Sequence, residues 1–177
     1  KGQMLVKDLA VGDKVLTRSG SFQTVYTLDH VDPRKLTDFL QISYNKSSNN
    51  NDDDDDLQQT LELTPSHLIF LHGVEDPVQA SQLVVGDKIE TKGVTSSNVG
   101  VIQKISKVSR KGFWNPITTD GTIVVDGVVT STYSTIVIGN SKSDTTRPQY
   151  LSIAGFEMIS QHTFLHTVMA PFRTLCM

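Results

Sequence analysis

The chain has 177 residues, which is enough for one domain with a substantial hydrophobic core. Its formal net charge is −3, but five of the 19 acidic residues form the single run at residues 52–56. The remaining charges nearly balance, so the chain lacks the basic character of a nucleic-acid-binding protein. A single cysteine, Cys176, excludes an intrachain disulfide framework, and we predict neither a metal site nor another cofactor. Because the chain begins without an initiator Met, we expect it to be a fragment of a longer precursor.

The first half of the chain is predicted to form β-strands. Short strands precede and follow a turn at Gly12-Asp13, and residues 22–28 and 39–44 are predicted as two strands separated by a break at residues 29–33. Residues 45–59 are almost entirely Ser, Asn, Asp and Gln. Such a composition cannot offset the entropy of ordering, so we expect a disordered loop inserted between two paired strands.

The second half begins with a repeat of the first. The sequence LAVGDKV at residues 9–15 recurs as LVVGDKI at residues 83–89, and a strand at residues 99–108 corresponds to the one that starts at Val25. Val-Gly-Asp is a common turn sequence, but agreement over seven positions favours duplication. The chain is therefore predicted to be all-β, with two pseudo-symmetric halves.

The end of the chain is predicted to contain a hairpin, a linker and a helix. Residues 122–125 and 128–133 are β-branched strands joined by Asp126-Gly127, and residues 141–148 form a polar linker. A helical spacing then predicts a helix of about 15 residues that Pro171 ends. The residues with that spacing are Phe156, Ile159, Thr163, His166 and Ala170. We expect the helix to pack as a lid, and contact with a membrane is the alternative.

Residues 61–71 hold a threonine and a histidine at a strand corner. Leu61 and Leu63 alternate with polar residues, Pro65 bends the chain, and a second apolar run follows. Thr64 and His67 are thereby placed three residues apart. Taken alone, the segment favours an ordinary turn in which the hydroxyl caps backbone and His67 has no function.

Five motifs in one order resemble the autoprocessing Hint domain of Hedgehog-type proteins. They are LAVGD at residues 9–13, LTPSHL at 63–68, Ala80-Ser81 with VGD at 85–87, NPIT at 115–118 continuing to Tyr133, and FLHTVMAPFR at 164–173. The resemblance implies a pseudo-two-fold Hint fold of two duplicated β halves with a C-terminal helical extension. It implies a Hint domain at residues 1–141 and a linker with a helix at residues 142–177.

The resemblance also implies self-cleavage of a larger, secreted precursor. In this family a cysteine at the first position of the domain attacks the preceding carbonyl and forms an internal thioester. Water, a sterol or another nucleophile then takes the acyl group, so the partner is the precursor's own upstream segment in cis. The family's Thr-x-x-His motif falls on Thr64 and His67. A histidine can deliver the proton that the departing nitrogen needs, and a hydroxyl can hold the scissile backbone.

Three departures from the family pattern matter. Only 11 residues precede Gly12, whereas the family places its nucleophilic cysteine roughly two dozen residues before that turn, so we expect the nucleophile strand to be missing and the chain as given to be inactive. The family's hairpin cysteine corresponds to Thr132, which we expect to alter packing or redox behaviour. The aspartate of sterol-transferring members falls at His30, with Asp29 one place earlier. Either residue is a candidate general base, and a turn capped by Asp29 with a solvated His30 is the equal alternative.

Two other functions remain open. A degenerate Hint-fold binding domain would use the helix to hold a partner or a lipid. A splicing intein needs a His-Asn pair at the end of the last strand, where this chain has Thr130-Ser131. The histidines without motif support, His72, His162 and His166, are interpreted as loop, helix-surface or packing residues.

Overall fold

A computed structural model describes residues 2–47, 58–93, 97–134, 150–153 and 156–171. Within these residues, nine strands form one sheet and two more form a separate antiparallel pair. The strands of the main sheet are β1 (Lys14–Leu16), β2 (Phe22–Ser47), β3 (Gln59–Leu63), β4 (His67–Ile69), β5 (Val78–Gln79), β6 (Lys88–Lys92), β7 (Ser97–Thr118), β8 (Thr122–Val125) and β9 (Val128–Ser134). The separate pair is β10 (Tyr150–Ile153) and β11 (Phe156–Ser160), and one helix, α1 (Gln161–Val168), follows it.

The main sheet follows the order β1-β2-β7-β6-β9-β4-β5, with β3 beside β2 and β8 beside β9. This topology confirms the predicted all-β class. The hairpin predicted around Asp126-Gly127 is also present, because β8 and β9 pair antiparallel from Thr122↔Ser131 to Val125↔Val128. Asp126 and Gly127 both have positive φ, at 47° and 78°, as a two-residue hairpin turn of this kind requires.

The frame of the sheet is the long antiparallel pair of β2 and β7. It runs from Val25↔Thr118 to Ser47↔Val99. The break predicted at residues 29–33 is wrong, since β2 continues through it. The pairing shifts register between Asp29 and Asp32, and this irregularity accommodates residues that resemble a turn in sequence while β7 supplies the backbone partners.

The duplication predicted from the sequence is visible in the geometry of the two Gly-Asp turns. Gly12 and Gly86 have nearly equal φ angles of 96° and 92°. In each turn the aspartate carboxylate accepts a hydrogen bond from the backbone N–H three residues earlier, at 2.9 Å for Asp13 and 2.8 Å for Asp87. Each turn is also preceded by a short 3-10 helix, Val6–Asp8 or Ala80–Gln82. The short strand predicted before Gly12 is therefore wrong, and the same 3-10 structure is used twice.

The main core lies between β2, β3, β6, β7 and β9. Alternate residues of the strands point into it, as expected for strands with one buried face. The most fully buried side chains of this cluster include Ile42, Tyr44, Leu61, Ile69, Ile89, Ile102 and Val128. A smaller cluster of Tyr26, Ile117 and Tyr133 is covered by Leu165 and Met169, so the C-terminal end of the described chain packs onto the sheet.

One prediction about connections is partly wrong. The disordered insertion was expected at residues 45–59, but β2 extends to Ser47 and β3 begins at Gln59. Residues 48–57 lie outside the described residues. The linker predicted at residues 141–148 also lies outside them, and the described chain resumes with β10 at Tyr150.

The predicted helix of about 15 residues is too long. Its first third, from Phe156 to Ser160, is strand β11, and the helix itself comprises only Gln161–Val168. The reason is that β10 pairs with β11 from Tyr150↔Ser160 to Ile153↔Phe156 and satisfies the backbone of that segment. None of the described helices is long and apolar enough to span a bilayer.

The close approach of β2, β6 and β7 at Gly100 gives a test of this packing. A Cβ at this position would lie 2.7 Å from the Tyr44 ring, 2.9 Å from Thr91 Cγ2 and 3.0 Å from Ile89 Cγ1, all in buried side chains. We expect Gly100→Ala to lower the free energy of unfolding by about 1–3 kcal/mol in urea titrations, because the core must shift. Gly2→Ala is the matched control, since a Cβ there meets nothing within 4 Å. Equal stability of the two variants would contradict the described packing.

Candidate active site around His67

His67 is the first residue of β4 and is held by a tight turn. Its backbone N–H donates to the Thr64 carbonyl at 3.0 Å, which closes the turn that contains Pro65. The Pro65 carbonyl in turn accepts a hydrogen bond from the Ser81 N–H at 2.9 Å. The Thr-x-x-His segment is thereby anchored to the second 3-10 helix, so the threonine and histidine are placed by backbone contacts.

A bulge in β9 places a carbonyl group beside the His67 ring. β4 and β9 pair at His67↔Ser134 and Ile69↔Thr130, so three residues of β9 lie opposite the single residue Leu68. Such a bulge interrupts the ladder and changes the direction of backbone groups. One of these groups, the Ser131 carbonyl, lies 2.8 Å from His67 Nε2.

This contact defines the protonation of the His67 ring. Because a carbonyl oxygen can only accept, Nε2 must carry the hydrogen, and in the neutral ring Nδ1 is then the nitrogen with a free lone pair. Burial lowers the pKa of His67 below its ordinary value of 6.5, and the hydrogen bond to Ser131 only partly opposes this effect. His67 is therefore neutral near pH 7, and its Nδ1 is the nitrogen that can accept a proton.

His67 lines a cavity of about 90 Å³. Its walls are mostly apolar, and its polar lining residues include Glu62, Thr64, Asn115 and residues 130–132. The lining residues include Val6, Phe39, Leu61, Leu63, Thr64, Phe113, Trp114, Asn115, Ile123, Ser131 and Thr132. Within the described part of the chain, no group of three His, Cys, Asp or Glu side chains is placed to hold a metal ion.

Thr132 brings an unsatisfied hydroxyl to this cavity. The residue is 1% exposed, and its Oγ1 has no hydrogen-bond partner among the residues that the structure describes. A buried hydroxyl without a partner costs about 1–3 kcal/mol. The structure thus places three of the predicted site residues, Thr64, His67 and Thr132, around one cavity, and one of them is left with an unused polar atom.

The other two predicted site residues do not line the cavity. Asp29 and His30 lie on β2 and are largely exposed, at 52% and 77% of their side-chain surface, and His30 Nε2 is 3.5 Å from Asp29 Oδ2. Asp29 is paired in register with Asn115, which does line the cavity. The predicted base is therefore one strand away from the site, and its role stays a prediction.

His162 is closer to the site than the sequence indicated. Its Nδ1 lies 2.9 Å from the Ser131 hydroxyl. Its ring packs edge-on against Phe70, with centroids 5.4 Å apart, and against Tyr133 at 5.7 Å. No motif marks this residue. The only signal was its spacing of four from His166, which also reaches Tyr133 and stacks on the His162 ring.

The surroundings of His162 keep it neutral. Burial is the largest cause that lowers its pKa, to about 4, followed by the nearby His166 and Arg18, while Asp76 and Asp120 act in the opposite direction. Because the Ser131 oxygen already accepts a hydrogen bond from the Tyr133 N–H, we assign its hydroxyl as the donor and the neutral His162 Nδ1 as the acceptor. His72 takes no part in the site, since it lies exposed after β4 and its N–H donates to the Lys88 carbonyl.

The unsatisfied Thr132 hydroxyl predicts an unusual mutational effect. We expect Thr132→Val to leave the free energy of unfolding unchanged or to raise it by about 1 kcal/mol, because it removes a buried polar atom that has no partner. Thr118→Val is the matched control. Thr118 is fully buried, but its hydroxyl donates to the Thr122 carbonyl at 2.7 Å, so this variant should lose about 1–3 kcal/mol. Equal losses in urea denaturation would show that Thr132 has a partner.

The two buried histidines predict how stability depends on pH. Unfolded histidines protonate near pH 6.5, whereas folded His67 and His162 stay neutral to lower pH, so stability is lost as pH falls from about 6.5 toward 4. His162→Phe should reduce the loss measured in urea between about pH 7.5 and about pH 5 by up to about 2 kcal/mol. The exposed His72→Phe is the control and should keep the wild-type loss. Identical pH dependence in all three proteins would contradict a buried neutral His162.

Comparisons with known proteins place these features in a family. The model of the Hint module matches residues 1–143. Among curated proteins, the chain is 31% identical over 149 residues to protein hedgehog of Drosophila yakuba, covering 77% of this chain and 28% of that protein. It is 28% identical over 148 residues to Warthog protein 6 of Caenorhabditis elegans, covering 77% and 23%. The chain thus spans about a quarter of the length of these relatives.

Solved structures share the fold at low sequence identity. The gp41-1 intein superposes with a TM-score of 0.53 at 14% identity, over 71% of this chain and 84% of the intein. The MchDnaB-1 intein gives a TM-score of 0.53 at 17% identity, over 72% and 88%. The fold predicted from the sequence motifs is therefore confirmed, and with a family match over residues 1–143 this protein belongs to the Hint family of hedgehog proteins and inteins.

Proposed function

We propose that this domain cleaves its own precursor through an N-to-S acyl shift at a cysteine upstream of the chain. The Hint modules of hedgehog proteins and inteins are self-processing, and the chain belongs to that family. The observation that carries the proposal is the His67 ring. Its Nε2–H is held on the Ser131 carbonyl, its pKa is lowered, and it borders a cavity shared with Thr64.

In this proposal His67 has two successive tasks. In the neutral ring, Nδ1 takes the proton of the cysteine thiol, and the resulting thiolate attacks the carbonyl carbon of the preceding residue. The carbon–nitrogen bond of the tetrahedral intermediate then breaks as the same proton passes from His67 to the departing nitrogen. The product is a thioester with a free amine, so atoms and charge balance. A lowered pKa favours the second transfer, because the imidazolium is then a stronger acid.

Thr64 and Thr132 supply the polar contacts of this cavity. Thr64 is tied to His67 by the backbone bond that closes their turn and lines the same cavity, and we propose that its hydroxyl holds the scissile peptide. Thr132 lines the same cavity, and its buried hydroxyl has no hydrogen-bond partner among the described residues. The largely apolar wall strengthens polar contacts made inside the cavity.

The second step transfers the acyl group from sulfur to an acceptor, which we propose is water or a sterol. Asp29 is the better candidate for the general base on the acceptor, because it is paired in register with Asn115 at the cavity and contacts His30. An exposed carboxylate suits an acceptor that approaches from outside. We further propose that the domain acts in the secretory pathway on its own upstream segment, with residues 1–141 as the catalytic domain and residues 142–177 as its extension.

The test uses the precursor with its native sequence restored upstream of Lys1. We expect dithiothreitol to release the upstream segment from the wild type, and His67→Ala to slow this release by about 10²–10⁴-fold, since general acid–base catalysis contributes that much. His72→Ala, which removes an exposed histidine outside the site, should cleave at the wild-type rate. Mass spectrometry with and without cholesterol identifies the acceptor.

The outcomes separate the remaining functions. A sterol-sized mass on the released segment supports transfer, and its absence leaves hydrolysis. Joining of upstream and downstream segments would indicate a splicing intein. If the wild type is not cleaved under any condition although it folds, the self-cleavage proposal is wrong and a Hint-fold binding domain remains, with the C-terminal helix holding a partner or contacting a membrane.

A further inference from the structure

The catalytic candidate His67 and the helix α1 meet at one residue, Ser131. The Ser131 carbonyl accepts from His67 Nε2 at 2.8 Å, and the Ser131 hydroxyl lies 2.9 Å from His162 Nδ1. Ser131 is completely buried in the bulge of β9. One serine therefore contacts the His67 ring through its backbone and α1 through its side chain.

The hydroxyl of Ser131 also holds the bulge in shape. Its oxygen accepts a hydrogen bond from the Tyr133 N–H at 2.9 Å, two residues later in the same strand. The adjoining Thr132 N–H donates to the Gly121 carbonyl at 2.9 Å. The Ser131 hydroxyl thus has two defined partners, the Tyr133 N–H and His162 Nδ1, whereas the Thr132 hydroxyl has none among the described residues. The direction of the Ser131 carbonyl depends on these bonds, because a bulge has no regular ladder to fix it.

The helix α1 packs closely against the turn before β8 and against Tyr133. A Cβ on Gly121 would lie 2.7 Å from His166 Nδ1 and 2.9 Å from the Tyr133 ring. Gly121 also has a φ of 77°, which a residue with a side chain rarely adopts. The turn before β8 thus leaves room for a histidine of α1, and His162 and His166 lie on the same side of the helix.

We propose that His162 is a positioning residue for His67, which acts by fixing the Ser131 hydroxyl and, through it, the bulge that holds the His67 ring. The consequence for catalysis rests on the proposed function, whereas the contact itself does not. Through this contact the C-terminal helix would influence the first chemical step, in addition to any role it has in binding an acceptor.

Two substitutions separate the hydrogen bond from the packing of the ring. His162→Phe keeps an aromatic ring against Phe70 and Tyr133 but offers Ser131 no acceptor. His162→Asn loses the ring, but its amide oxygen can take the place of Nδ1 and accept from the Ser131 hydroxyl. Ser131→Ala removes the hydroxyl and keeps the carbonyl. His72→Phe repeats the first substitution at an exposed histidine outside the site.

The first measurement needs only the chain itself. Nitrogen NMR of labelled histidine reports which ring nitrogen of His67 carries the hydrogen. We expect one tautomer, with hydrogen on Nε2, in the wild type, in His162→Asn and in His72→Phe. In His162→Phe and Ser131→Ala we expect a mixture, because the carbonyl that selects this tautomer is no longer held in one direction.

The second measurement is the rate of cleavage of the precursor by dithiothreitol. His162→Phe and Ser131→Ala should each be slower by about tenfold or more, since a small misplacement of a catalytic group has effects of this size. The double variant should be no slower than Ser131→Ala alone, because both substitutions break the same connection. His162→Asn should recover most of the wild-type rate.

The results distinguish this proposal from the proposed function. If His162→Phe keeps both the single tautomer and the wild-type rate, His162 does not position His67. If His162→Phe and His162→Asn lose rate and thermal stability equally, the role of His162 is packing alone, and the proposal is also wrong. If the tautomer changes as expected but the wild-type precursor is never cleaved, the positioning contact is supported and self-cleavage is refuted.

Discussion

The site depends on one hydrogen bond, from His67 Nε2 to the carbonyl of Ser131. It selects the tautomer of the ring, and burial, which outweighs the opposite effect of this bond on the pKa, leaves a neutral histidine whose other nitrogen is a free base. Both partners owe their positions to irregular backbone. A tight turn places His67 at the start of β4, and a bulge in β9 removes the Ser131 carbonyl from the ladder.

The regular parts of the fold hold these two irregular segments together. The long pair of β2 and β7 forms the frame, and two copies of the Gly-Asp turn, each with its own 3-10 helix, link it to its neighbours. The second copy has a further role, because the Ser81 N–H next to its 3-10 helix binds the turn before His67. The duplicated element is therefore structural in both halves, and its second copy also binds the Thr-x-x-His turn.

Buried polar atoms around the cavity are satisfied with one informative exception. The Ser131 hydroxyl is bonded within its strand and to α1, whereas the Thr132 hydroxyl next to it has no partner among the described residues. A mostly apolar cavity that also holds a neutral histidine and several polar side chains is suited to a peptide group, which is itself polar. The buried Thr132 hydroxyl without a partner lowers the stability of the fold, and such local costs are common at functional sites.

The sequence by itself determined the all-β class, the duplication, the β8–β9 hairpin and the pair of Thr64 and His67, because these follow from local patterns of two to ten residues. Pairing over long distances decided the rest. Residues 29–33 resemble a turn but continue as strand because β7 lies beside them, and Phe156–Ser160 has helical spacing but pairs with β10. The bulge at Ser131 and the approach of His162 have no local signal. Both depend on the packing of β4, β9 and α1. The bulge exists only relative to the partner strand β4, and the His162 contact needs residues that are far apart in the sequence.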